Sequence, residues 1–204
     1  MTDRRTVAVS GVGRTPAVPD VMRLEVGVAV VEPNVSAAIE RAGTSLQAVL
    51  DALVAAGIPR ADLSTSALSV YPQHRAGDDP GIAGYEVTSM LTVTVRDLDA
   101  AGSMLTAAAE AGGDDLRVHN VALTVDDPSG PLKAARDAAF ADARERADQY
   151  ARLCGATLGP VLEISEGSSG PGPSPRMVGL AAAMPVEAGE QQVTVAVNVV
   201  FELV

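Results

Sequence analysis

The sequence predicts an α+β protein of two layers, in which a mainly antiparallel sheet carries its helices on one face. Several stretches alternate strictly between apolar and polar residues, which is typical of strands with one buried and one wet face. Three other stretches repeat apolar residues every three or four positions and so predict helices with a single apolar stripe. The predicted elements follow one another in the order ββαββαβαββ. Runs of amphipathic strands joined by turns favour antiparallel pairing.

The first two strands are predicted at residues 5–13 and 22–30. The first is expected to be short and to end in its glycines, whereas the second alternates cleanly. Gly11 and Gly13 do not fit the glycine pattern of a dinucleotide-binding loop. Pro16 stands where the third glycine belongs, and a strand follows in place of a helix.

The first helix is predicted from Asn34, a favoured N-cap residue, to Gly57, which is typical of a helix end. Residues 63–71 and 85–95 predict the third and fourth strands, and the polar stretch 73–84 between them predicts a hairpin connection.

A short second helix is predicted after Asp97, closed by Gly112 and Gly113. The following strand, residues 116–125, changes its apolar phase midway. A β-bulge near His119–Asn120 explains that change, because one extra residue reverses the alternation.

The longest helix is predicted between Asp127 and Gly155, with a start as late as Ser129. Its outer face carries oppositely charged pairs four residues apart, among them Asp142 and Arg146, and is interpreted as a solvated face. The other face is mostly alanine and predicts a close seam against the sheet. Its stripe consists of Leu132, Ala135, Ala139, Ala143, Ala147, Tyr150, Ala151 and Cys154.

Two strands, at 161–166 and 193–203, close the predicted order, and residues 167–189 between them form a loop rich in glycine and proline. Loops of this length are uncommon within compact domains and are usually functional or mobile. Arg176, Met177, Leu180 and Met184 place cationic and apolar groups on this loop, so they are the candidate partner-contact residues. The alternative is that they fold back onto the chain's own core.

Composition limits the number of domains, the kinds of partner and the role of the single cysteine that can be expected. The 204 residues predict a single domain, 1–204, with a division into lobes at 5–126 and 127–204 as the alternative. A net charge of −11 argues against nucleic acid and against anionic lipid as partners. The single cysteine, Cys154, has no internal disulfide partner and is expected to be a small buried apolar residue.

The amino terminus has no apolar segment typical of a signal peptide, and no window of 18 apolar residues occurs in the chain. These two observations predict a cytoplasmic protein that does not insert into a membrane.

The residues that commonly carry chemistry are scattered. His74 and His119 lack a further ligand at metal-binding spacing, and the acidic pairs Asp78–Asp79 and Asp114–Asp115 are typical turn formers. Ser168 and Ser169 do not lie in a nucleophile elbow. No catalytic residue, metal site or cofactor is therefore predicted.

The ordered set of motifs resembles the SIMPL-domain family, long described as a domain of unknown function. The segments that carry the resemblance are Val9–Asp20, Leu53–Gln73, Gly84–Leu98, Ala134–Gly167 and Val193–Leu203. The family includes periplasmic immunogenic proteins and proteins linked to oxidative-stress defence, and some members are thought to form ring-like or channel-like oligomers. The resemblance implies no catalytic residue. Many relatives carry a signal peptide, which is not recognisable in this sequence.

Three functions follow from these observations. The first is a non-enzymatic homo-oligomeric module with a scaffold or stress-response role. The second is an adaptor that binds a protein partner through residues 167–189. The third is an enzyme or small-ligand carrier whose pocket is assembled from scattered residues.

Overall fold

The computed structural model describes residues 5–75, 81–167 and 189–204 of the chain. The strands among them are β1 (Thr6–Ala17), β2 (Val21–Glu32), β3 (Leu63–His74), β4 (Ile82–Val95), β5 (Leu116–Thr124), β6 (Leu158–Glu166) and β7 (Gln191–Leu203). The helices are α1 (Val35–Ala55), α2 (Ala101–Gly112) and α3 (Ser129–Leu153). The α+β class and the order ββαββαβαββ are thereby confirmed.

The strands are distributed over two antiparallel sheets. One has three strands in the order β1-β7-β6, and the other has four in the order β3-β4-β2-β5. Residues 5–19, 125–167 and 189–204 form the unit around the first sheet, and residues 20–124 contain the second sheet with α1 and α2. The expectation of a single domain, or of lobes at 5–126 and 127–204, stays a prediction.

In the three-stranded unit, helix α3 lies directly on β1 through an alanine stripe. The fully buried members of that stripe are Ala135, Ala139, Ala143, Ala147 and Ala151, each four residues from the next. A Cβ atom added at Gly11 would lie 2.1 Å from the carbonyl oxygen of Ala139, and one added at Gly13 would lie 1.9 Å from that of Ala135. The two glycines therefore allow the helix backbone to contact the strand backbone.

The role of these glycines corrects the expected end of the first strand. Strand β1 does not stop at them, because it pairs with β7 along its whole length from Thr6 to Ala17. Glycine ordinarily weakens a strand, but it is found where another backbone approaches closely. The prediction of a short strand is wrong because close helix packing, which only the tertiary structure shows, explains the glycines.

Helix α3 begins at Ser129, the later of the two predicted starts. The backbone N–H of Ser129 donates to a carboxylate oxygen of Asp127 at 3.0 Å. Hydrogen bonds from Ser129, through its side chain and then its backbone, hold the pKa of Asp127 below its ordinary value. Asp127 therefore supports the helix start from just outside the first turn.

Two residues of the predicted apolar stripe do not belong to it. Tyr150 is exposed, and so is Cys154, whose thiol donates to the carbonyl oxygen of Ala151. The expectation that Cys154 is buried is therefore wrong. The buried alanines repeat every four residues along α3. Tyr150 and Cys154 lie beside this line of alanines on the helix surface, outside its narrow contact with the sheet.

The four-stranded unit carries the larger apolar core. Its largest fully buried side chains come from β2 and β4, among them Met22, Leu24, Leu91 and Val93, with Val49 and Leu53 supplied by α1. The side chain of Asn34 accepts a hydrogen bond from Ala37 N–H at 2.9 Å, which confirms the predicted cap of α1.

In this four-stranded unit the structure bears on three local predictions, two for the sheet and one for helix α2. Between β2 and β5 the register skips His119, so the bulge lies where the change of phase predicted it. Strands β3 and β4 pair antiparallel as expected for a hairpin, but they extend into the predicted connection 73–84, since Gln73 pairs with Gly84 and His74 with Ile82. Helix α2 begins only at Ala101, because the Asp97 side chain accepts from Asp99 and Ala100 in a turn that precedes the helix.

The seam between α3 and β1 generates a stability prediction. Replacing Gly13 with alanine forces apart two backbones that now touch, and overpacking of this kind costs about 1–3 kcal/mol or more. Urea unfolding followed by circular dichroism should show the loss. Gly130→Ala is the matched control, because it lies in the same unit and an added Cβ there would meet nothing within 4 Å. Equal stability of Gly13→Ala and the wild type would contradict the seam.

Candidate functional site

Strand β6 is the least covered strand of the three-stranded sheet. Val161, Leu162 and Ile164 are 41%, 40% and 57% exposed, and the strand has β7 as its neighbour on one side. In register, Val161 pairs with Phe201 and Ile164 with Val199. Both partners are buried under α3, so Val161 and Ile164 project towards the helix layer. They nevertheless remain exposed.

Helix width explains this exposure. Strands in a sheet are about 4.8 Å apart, and a helix with its side chains is about 10 Å wide, so one helix covers about two strands. In this unit α3 packs on β1 and β7. The third strand is therefore left without a helix above it.

A shallow groove runs along the boundary between α3 and β6. Its volume is about 340 Å³, and its apolar wall is formed by Phe140, Ile164 and Val197. The Arg136 guanidinium forms a two-pronged ion pair with Glu166 at 2.8 and 3.2 Å across one end. That contact raises the pKa of Arg136, first through the hydrogen bond and then through charge attraction. The groove thus has an apolar floor and a charged margin.

A second, wider depression lies where α3 meets the start of β6. Its volume is about 770 Å³, and its charged residues are Arg144, Glu145, Asp148 and Arg152. Two arginines and two carboxylates are mixed along this wall. Such an arrangement produces no field of a single sign that would concentrate a charged ligand.

Two side chains of α3 bind the middle of the opposite edge of the same sheet, at β1. The backbone N–H of Val12 donates to a carboxylate oxygen of Asp142 at 2.8 Å, and Arg146 donates to the carbonyl oxygen of Ser10 at 3.0 Å. Asp142 and Arg146 also form an ion pair at 2.9 Å, as their spacing predicts. These two α3 residues occupy two of the outward backbone groups of β1, the Val12 N–H and the Ser10 carbonyl, that another strand would otherwise bind.

The remaining candidate residues do not converge. Within residues 5–75, 81–167 and 189–204, no group of three or more His, Cys, Asp or Glu side chains is placed to hold a metal ion. Asp115 instead accepts hydrogen bonds from Arg41 and Ser45. Bonds from Arg41 to Glu32 and then Asp115 raise the pKa of that guanidinium.

Several predicted residues lie outside the described part of the chain. They are the partner-contact candidates Arg176, Met177, Leu180 and Met184, together with Asp78, Asp79, Ser168 and Ser169. Their roles stay predictions.

Sequence reasoning found β6 as a strand but missed its position at a sheet edge. Val161, Leu162 and Ile164 are apolar residues on either side of Glu163, a pattern that both edge and inner strands show, so periodicity does not separate the two cases. The contacts of Asp142 and Arg146 with β1 had no signal in the sequence beyond their four-residue spacing.

A model of the SIMPL family, described as a protein of unknown function, matches residues 7–201. The chain belongs to the SIMPL family. The 26 kDa periplasmic immunogenic protein of Brucella melitensis is 36% identical over 220 residues, which cover 99% of this chain and 86% of that protein. Its counterpart in Brucella abortus matches equally well. The uncharacterized protein YggE of Escherichia coli K12 is 30% identical over 211 residues, covering 100% of this chain and 85% of YggE.

These SIMPL relatives correct the expected location. The two Brucella proteins are named as periplasmic, which overturns the prediction of a cytoplasmic protein. The prediction is wrong because the hydropathy pattern of the chain, on which it rested, does not determine the compartment. Separately, none of the helices in the described ranges is long and apolar enough to cross a membrane.

The closure of the β1 edge yields a second prediction. Asp142→Ala should accelerate amide hydrogen exchange at Val12 and lower the free energy of unfolding by about 1 kcal/mol, because the N–H loses its acceptor and Arg146 loses its ion-pair partner. Exchange followed by NMR would measure the first effect. Asp137→Ala removes an exposed carboxylate from the same helix and serves as the control. An unchanged exchange rate at Val12 would show that Asp142 does not protect this edge.

Proposed function

We propose that this SIMPL-family chain is a homo-oligomeric module of the periplasm that acts by binding rather than by catalysis, with a scaffold or stress-response role. The observation that carries the proposal is the uncovered apolar surface of β6, formed by Val161, Leu162 and Ile164 beside the groove under α3. Exposed apolar side chains gathered on one strand mark a contact surface more often than a solvated one.

The periplasmic assignment is supported by the names of the Brucella relatives, which match almost the whole chain. The binding role is supported by the kind of surface found at β6, where an apolar groove carries a charged margin. Protein contact surfaces commonly combine an apolar centre with a polar rim.

Measuring the mass of the protein in solution tests whether it forms an oligomer. Light scattering across micromolar to millimolar concentrations should give masses above the 20.7 kDa of one chain. Because each copy carries a net charge of −11, added salt should favour association by screening repulsion. A strict monomer at every concentration and salt level would overturn the proposal.

A second candidate function is an adaptor that uses residues 167–189 as the ligand of a protein partner. It is favoured by the composition of this segment, with five glycines, four prolines and the apolar residues Met177, Leu180 and Met184. A small-ligand carrier or an enzyme stays the third hypothesis.

Deleting residues 170–188 tests the adaptor. The deletion should abolish capture of the partner in a pull-down while the melting temperature stays that of the wild type. A loss of folding would show instead that the segment is structural. Arg176→Ala alone, which leaves the chain length unchanged, tests the cationic contact separately.

A further inference from the structure

We propose that the wider depression, where α3 meets the start of β6, binds a short zwitterionic peptide. The ammonium group of the peptide is held by Asp148, and its carboxylate is held by Arg144 or Arg152. The depression shares no lining residue with the smaller groove at β6. The proposal goes beyond the proposed oligomer and does not depend on it.

The charged side chains of this depression are not engaged with one another. Elsewhere on α3, Asp142 and Arg146 lie four residues apart and form an ion pair at 2.9 Å. Arg144 and Arg152 have the same spacing on either side of Asp148. In the part of the chain that the structure describes, these three side chains nevertheless form no ion pair or hydrogen bond. A ligand can therefore contact them without breaking an existing ion pair.

Asp148 is the anchor of the site because it is partly removed from water. Its side chain is half-buried, whereas Arg144, Glu145 and Arg152 are exposed. Burial disfavours a carboxylate that lacks a cationic partner. The ammonium group of a ligand supplies that partner, and Glu145 adds a second negative charge to the same wall.

The opposite wall of the depression, residues 156–158, offers apolar contacts. The backbone N–H and the hydroxyl of Thr157 both donate to the backbone oxygen of Val204, at 2.7 and 3.0 Å. The backbone N–H of Ala156 donates to Ala151 at 2.9 Å. Because these polar groups are already satisfied, ionic recognition comes from α3, and the hydrocarbon part of the ligand packs on Ala156 and Leu158.

The spacing of the charges selects the length of the ligand. Four residues of a helix span about 6 Å, which separates Asp148 from each arginine along the axis of α3. A peptide spans about 3.3–3.6 Å per residue, so the two charged ends of a dipeptide match this separation. A free amino acid carries both charges on one carbon atom and is shorter. The peptide is also neutral overall, so the net charge of −11 does not repel it.

Peptides with one end blocked test the need for both charges. Titration with dialanine, followed by NMR of the isotope-labelled chain, should give saturable amide shifts at residues 141–158. N-acetyl-dialanine lacks the ammonium group, and dialanine amide lacks the carboxylate. Each should bind about tenfold or more weakly than dialanine, because each loses a charge-assisted contact. Free alanine, which is too short, should also bind more weakly.

Two results of this titration would overturn the proposal. The first is the absence of a saturable shift with dialanine. The second is equal binding of dialanine and its blocked forms, which would show that the depression does not recognise a zwitterion.

A matched pair of substitutions locates the site. Asp148→Asn keeps the shape of the side chain and removes its charge, so it should raise the dialanine dissociation constant by about tenfold. Asp137→Asn makes the same charge change on α3 outside the depression and should leave the dissociation constant unchanged. Melting temperatures of both variants check that the fold is intact. Equal dissociation constants for Asp148→Asn and the wild type would overturn the assignment of the ammonium group to Asp148.

Salt separates this proposal from the proposed oligomer. Raising the salt concentration should weaken dialanine binding, because exposed charges are screened. The same change should favour association of the acidic chains. A monomer that binds dialanine would overturn the oligomer alone, and an oligomer that does not bind dialanine would overturn this site alone.

Discussion

The close approach of α3 to β1 is the constraint on which the three-stranded unit depends. Gly11 and Gly13 remove the side chains that would hold the two backbones apart, and Ala135, Ala139 and Ala143 bring the helix into contact there. With the helix held over β1 and β7, Phe201 and the buried valines of β7 form the core, and Phe140 of α3 reaches Phe201 with ring centroids 6.4 Å apart. Because one helix covers about two strands, β6 stays uncovered.

The same helix also makes the two edges of its sheet unequal. Its outer face, which the sequence presents as a solvated run of charges, sends Asp142 and Arg146 back to the backbone of β1. At the other edge, Arg136 reaches Glu166 but leaves Ile164 exposed. Natural sheets commonly protect their edges with charged side chains. The β6 edge differs from the β1 edge in keeping an exposed isoleucine.

Local signals in the sequence predicted most elements, because capping, turn and bulge chemistry act over a few residues. Asn34 caps α1, the change of phase at His119 is a bulge, and β3 and β4 pair antiparallel. The errors arose where a residue's role depends on a distant part of the chain. Gly11 and Gly13 were interpreted as the end of a strand, and Cys154 as buried, because neither interpretation could include the position of α3 relative to the sheet. The sequence predicted β6 as a strand but not that its apolar side chains are exposed, because their exposure also depends on the position of α3 relative to the sheet.

By itself, the sequence determined the α+β class, the order of the elements and the resemblance to the SIMPL family, since periodicity and ordered motifs are properties of the chain read along its length. Only the tertiary structure decided that β1 and β7, 188 residues apart at the Ser10–Asn198 hydrogen bond, are neighbours in one sheet. It also decided which strands lie at an edge and which side of α3 touches a backbone. Pairing of β1 with β7 across such a separation depends on how both strands pack together under α3. A pattern of neighbouring residues in the sequence does not contain that information.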